Sequence, residues 1–156
     1  MWRSFIEWAS GKARRVYLIA DEADAEAILI AYWRCRRGRR RRWPGLDLRN
    51  IDEDDLAALW QVLPGEGDRR SILGDEVVDG SDEFPGPNVC RVRPEFISAL
   101  AALTAADWRV YPAQVQQSGK VSHATRAELV SCIRALSEFA RRAQAAGKPV
   151  LQYSEP

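Results

Sequence analysis

The stretch from Ile72 to Ile97, ILGDEVVDGSDEFPGPNVCRVRPEFI, decides how the chain is divided into elements. An apolar pair and a glycine lead into the acidic residues Asp75, Glu76, Asp79, Asp82 and Glu83, interrupted by Gly80, Pro85, Gly86 and Pro87. Val89 to Val92 has strand character, and Pro94 is placed to open a helix at N1, where its missing N–H goes unnoticed. Residues 72–88 therefore read as a long, rigid loop between ordered elements. Such loops more often carry a task than merely connect.

Downstream of this stretch, Phe96, Ile97, Leu100 and Leu103 form the inward stripe of the helix that Pro94 opens. Asp107 to Pro112 reads as a turn or strand, and Gln116 to Gly119 as loop. The strongest periodicity comes next: Leu129, Ile133, Leu136, Ala140 and Ala143 recur at helical spacing, with Val130 and Phe139 alongside. Ser122 or Thr125 caps that helix, Gly147 ends it, and residues 149–153 form a closing strand.

Upstream, Arg15 to Ala20 is β-branched and aromatic enough for a strand. Asp21 caps a helix whose buried stripe is Ala25, Ile28, Ala31, Tyr32 and Cys35, widened by Leu29 and Trp33. Leu46 to Leu48 reads as an edge strand. Asn50 or Asp52 then caps a helix with Leu56, Leu59, Trp60 and Leu63 inward. Residues 1–12 form an N-terminal extension, with Trp2, Phe5, Ile6 and Ala9 at helical spacing. The expected fold is a single α+β domain over residues 1–156, a small mixed or antiparallel sheet packed against several helices.

A length of 156 residues suffices for a real core without covalent staples. Three widely spaced cysteines, Cys35, Cys90 and Cys132, argue against a disulfide framework and for a reducing compartment. No apolar run approaches a membrane span, so a cytoplasmic location without membrane association is expected. The formal net charge of +1 conceals segregation: the balance is +6 over residues 1–43, −9 over 44–88 and +4 over 89–156. The two blocks either build opposed faces or neutralise each other.

Seven arginines lie between Arg34 and Arg42, and Arg36, Arg37, Arg39, Arg40, Arg41 and Arg42 are candidate anion-binding residues. A nucleic-acid binder normally shows basic excess over its whole domain, and a pI near 7.7 is not that. The acidic residues do not follow the spacing of a calcium loop. His123, the single histidine, sits at the start of the last helix, where a capping or exposed role is the simpler reading. No phosphate loop, dinucleotide fingerprint, nucleophile elbow or zinc motif occurs, so neither metal, cofactor nor catalytic residue is assigned.

From Leu46 onward the layout resembles the bacterial YfbM-like family, a domain of unknown function. The resemblance rests on LDL at 46–48, LWQVL at 59–63, ILGDEVVDG at 72–80 and Gly86-Pro87 before a strand. It continues through RPEFISALAAL at 93–103, LVSCIRALSEFARRAQAAGK at 129–148 and VLQY at 150–153, with RVYLIADEADAEAIL at 15–29 upstream. Family members often carry a Trp-His pair and a second histidine in the helix after LDL; here that helix reads DEDDLAALWQVL, with neither. The resemblance implies an α+β fold and a small cytoplasmic bacterial protein, and brings no chemistry with it.

The function expected from these features is non-catalytic protein binding, of the immunity or antitoxin kind that neutralises a toxin or other basic protein. Asp75, Glu76, Asp79, Asp82 and Glu83 would steer the partner, and Trp43, Trp60 and Phe84 would anchor it. Two alternatives stand beside it: an RNA- or phosphate-binding protein using the Arg34–Arg42 run, and a small enzyme for a charged metabolite with residues 72–88 as its lid.

Overall fold

Strand β1, Arg14–Ile19, sends Val16 and Leu18 to one face and Tyr17 and Ile19 to the other, and all four are buried. A strand apolar on both faces needs cover on both sides, and the rest of the chain supplies it. The computed structural model describes residues 14–34, 42–48, 51–65, 69, 71–80, 86–118 and 124–155, without the side chains of Arg34, Asp75 and Glu76. The N-terminal extension, Cys35 and His123 lie outside the described residues.

Among the described residues the sheet has five strands in the order β2-β1-β5-β4-β3, with β2 at Gly45–Asp47, β3 at Leu73–Gly80, β4 at Asn88–Val92 and β5 at Val150–Glu155. Every neighbouring pair is antiparallel, so the sheet is antiparallel rather than mixed. The central position belongs to β5, last of these strands in the chain. It pairs with β1 from Arg14↔Glu155 to Ile19↔Val150, and with β4 from Asn88↔Ser154 to Arg91↔Leu151.

One face is covered by a 3-10 turn at Glu22–Asp24, α1 at Ala25–Leu29 and a π-helical turn at Ile30–Arg34, with Trp43 in the same apolar cluster. Ala25, Ile28, Ala31 and Tyr32 bury there against Val16, Leu18, Val89, Leu151 and Tyr153. The Asp21 side chain caps nothing and instead meets Lys148 Nζ at 3.1 Å. The other face carries α2 at Glu53–Val62, α3 at Pro94–Ala101, α4 at Asp107–Gln117 and α5 at Arg126–Ala146. Leu56, Leu59, Trp60, Phe96, Leu100, Ile133, Leu136 and Phe139 pack there on Tyr17, Ile19, Val92 and Val150. This is the α+β class.

The N-termini of α2 and α5 are closed by side chains. Asp52 Oδ1 accepts from Asp55 N at 2.9 Å while Asp52 N donates to Asp55 Oδ2 at 3.1 Å, and Thr125 with Glu128 repeats the exchange on α5. Arg141 donates Nε to Ala101 O at 3.0 Å and an Nη to Leu103 O, tying down carbonyls that α3 leaves open. Arg69 does the same for α2, donating to Trp60 O at 2.8 Å and to Leu63 O.

Two segments differ from the sequence reading. Asp107–Gln117 is a helix, not a turn or strand, despite Pro112 within it. Asp107 Oδ2 accepts from Thr104 N at 2.7 Å and Thr104 Oγ1 at 2.9 Å, and burial of Pro112 and Val115 outweighs the bond that proline removes. Leu73–Gly80 is an edge strand, not loop. Leu73, Val77 and Val78 supply its strand character, and register shifts between Leu73 and Val77 and between Val77 and Asp79 absorb its irregular residues.

Candidate functional site

The face of the sheet beneath α2 to α5 stops being apolar toward one end. Side chains alternate along strands, so the pairings Tyr17↔Gln152↔Cys90 and Arg15↔Ser154↔Asn88 set two polar rows across β1, β5 and β4 on that face. Glu53, first residue of α2, joins them from above: its Oε1 accepts from Arg15 Nε at 3.1 Å and from Gln152 Nε2 at 2.7 Å. Asn88 Oδ1 accepts from Ser154 Oγ at 2.7 Å, and the Cys90 thiol lies 3.7 Å from it. The pair Arg15–Glu53 is partly solvent-accessible, whereas Gln152 beneath it is 1% exposed.

This arrangement has electrical consequences. Burial, followed by the Glu53 charge, pushes the Tyr17 phenol far above its usual range. The same two causes, in the same order, raise the Cys90 thiol. Burial first and Asp55 second push Cys132, on α5, up to about 12. Both thiols are free and buried, and their raised values make them poor nucleophiles at neutral pH. Among the described residues, no three of His, Cys, Asp and Glu gather as a metal site would require.

The acidic edge is a second feature, separate from the polar rows. Asp75, Glu76 and Asp79 fall in β3, the outermost strand on its side. Asp79 Oδ1 accepts from Gly80 N at 2.8 Å, a local turn bond. Between them sits Val77, 57% exposed. Asp82, Glu83 and Phe84 lie outside the described residues.

Two expected anchors are corrected. Trp43 and Trp60 are 7% and 3% exposed and belong to the core, Trp60 against Phe96 with ring centroids 5.4 Å apart. Each sits within an apolar cluster of the core. Arg42 is the described member of the arginine run with a visible side chain. Its guanidinium lies over the Trp43 ring at 5.2 Å and meets Asp24 at 3.6 Å. Arg36, Arg37, Arg39, Arg40 and Arg41 lie outside the described residues.

Sequence reasoning passed over Arg15, Glu53 and Gln152. The available signal was Gln152 itself, a polar residue set within the apolar run Val150 to Tyr153 at a position facing the core.

Fold and rows together describe an α+β domain with an antiparallel sheet, one acidic edge and a polar end. No protein-family model matches the chain, and no curated protein does. Among solved structures it is similar to the crystal structure of a protein of unknown function, YfbM from Escherichia coli. The match has a TM-score of 0.44 and 14% identity, and covers 90% of this chain and 99% of that one. That structure bears the name of the family that the sequence pattern resembles.

Proposed function

We propose that the chain is a non-catalytic protein-binding domain, of the immunity or antitoxin kind, that covers a basic surface on its partner. The observation that carries this reading is the position of β3 at the edge of the sheet, with Asp75, Glu76 and Asp79 along it and no Lys or Arg from Ile72 to Glu83. An edge strand offers backbone N–H and C=O groups for pairing, and its charges select what approaches. Acidic side chains repel other acidic edges and draw in basic ones. With Trp43 and Trp60 in the core, Val77 is the apolar contact this edge offers. A cytoplasmic location belongs to the same proposal, supported by the free thiols of Cys90 and Cys132 and by the lack, among the described residues, of a helix long and apolar enough to cross a membrane.

The test is affinity capture from cells of the native host with the parent chain and with Asp75→Lys/Glu76→Lys/Asp79→Lys. The parent should retain a basic protein, less of it as salt rises, and the triple variant should retain none. Equal capture by both chains, or no basic protein on the parent, overturns the reading.

A further inference from the structure

Two polar atoms in the rows are buried and have no hydrogen-bond partner among the described residues: the Tyr17 hydroxyl and Gln152 Oε1. They belong to cross-strand neighbours on β1 and β5, on the same face, 3% and 1% exposed. A single orphan of this kind destabilises a fold; two side by side call for a partner from outside the chain or a task that justifies them. Glu53 adds to the unused capacity. Both bonds to it land on Oε1, leaving Oε2, and Arg15 spends only Nε on the pair, leaving both terminal nitrogens.

The charge of the assembly narrows what could use these groups. Arg15 and Glu53 cancel, so a ligand with net charge would meet no compensating charge in the pair. The unused acceptors, Gln152 Oε1 and Glu53 Oε2, are matched by N–H donors. The unused terminal nitrogens of Arg15 are matched by a carboxylate or carbonyl oxygen, which the guanidinium fork holds in two places at once. Both charged side chains are partly open to solvent, above the buried Gln152.

We propose that the polar rows bind a small molecule of no net charge that presents an N–H donor beside a carboxylate or carbonyl acceptor, free α-amino acids in zwitterionic form being the simplest members. The ammonium or amide N–H sits on Gln152 Oε1 and Glu53 Oε2, and the acceptor sits on Arg15. Competing locations fare worse. The groove of about 490 Å³ between Leu46, Leu48, Ile51 and Cys132 is largely apolar, and nothing defines its occupant. In the groove lined by Arg91 and Lys148, both cations are already paired, with Glu22 and Asp21.

The experiment uses the whole chain, with the common α-amino acids, acetamide and urea as probes at millimolar concentration, read by thermal shift and by NMR chemical-shift change. At least one probe should raise Tm. Gln152→Met removes the orphan acceptor together with the Nε2 bond to Glu53; it should keep the dispersed NMR spectrum of the native fold and bind that probe about tenfold more weakly. Arg15→Lys keeps the charge, loses the fork, and should weaken carboxylate-bearing probes most. The Asp75→Lys/Glu76→Lys/Asp79→Lys variant should bind the probe as the parent does, which separates this site from the acidic edge. No shift with any probe, or undiminished binding in both Gln152→Met and Arg15→Lys, overturns the proposal.

Discussion

Cys132 shows how a single buried atom ties the fold to pH. Its thiol keeps its proton in the native state up to about 12, whereas an unfolded chain releases it near 9.0. The folded value is the higher one, so the stabilisation is complete below pH 9 and disappears as pH rises toward 12. Urea midpoints measured across that window should fall with pH, and Cys132→Ala should flatten the first part of the decline. Above about pH 10, where unfolded tyrosine ionises, the buried Tyr17 adds a loss of the same sign. Tyr17→Phe removes an orphan hydroxyl and should leave stability unchanged or raise it by about 1 kcal/mol in urea unfolding at neutral pH. At this scale the sequence was legible where burial followed periodicity, as for Leu56, Phe96 and Ile133. It was not legible for Trp43 and Trp60, because a large aromatic serves a core and a surface anchor equally well until its neighbours are known. Gln152 was hidden for the opposite reason: its partners, Glu53 and Tyr17, are 99 and 135 positions away in the chain.

Among the elements, α5 was the most readable, because cap, stripe and stop agree. Thr125→Ala should cost about 1 kcal/mol by removing the oxygen that holds Glu128 N, checked by chemical unfolding. Gly147 has φ 63°, so Gly147→Ala should cost about 1 kcal/mol or somewhat more in the same assay. Two elements resisted. The amphipathic pattern of α4 is interrupted by Pro112, and local signals for a turn there are outweighed only by packing that the sequence does not display. The acids and glycines of β3 suggest loop. They are tolerated because the strand is at an edge, where charge and bulges discourage unwanted pairing with other sheets. The acidic residues were thus found by sequence and the element that carries them was not.

For the whole molecule, the decisive arrangement is the seat of β5 between β1 and β4. Of the described elements, a chain stopped after Gly147 keeps every helix and four of the five strands, yet β1–β2 and β3–β4 would then have no strand joining them. That truncation should abolish the cooperative unfolding transition and the dispersed NMR spectrum of the native state, rather than merely lower Tm. The charge blocks show the same reliance on distant neighbours. Asp21 meets Lys148 and Glu22 meets Arg91, so part of the acidic surface is balanced across more than a hundred and about seventy positions respectively. Synthesis runs in the other direction from this architecture. As the chain leaves the ribosome, β1 and β4 emerge with their inner edges bare and wait for a strand made after every other described element. Joining of the two strand pairs is therefore later than the pairs themselves, and chaperones that shield strand edges have an opportunity in that interval.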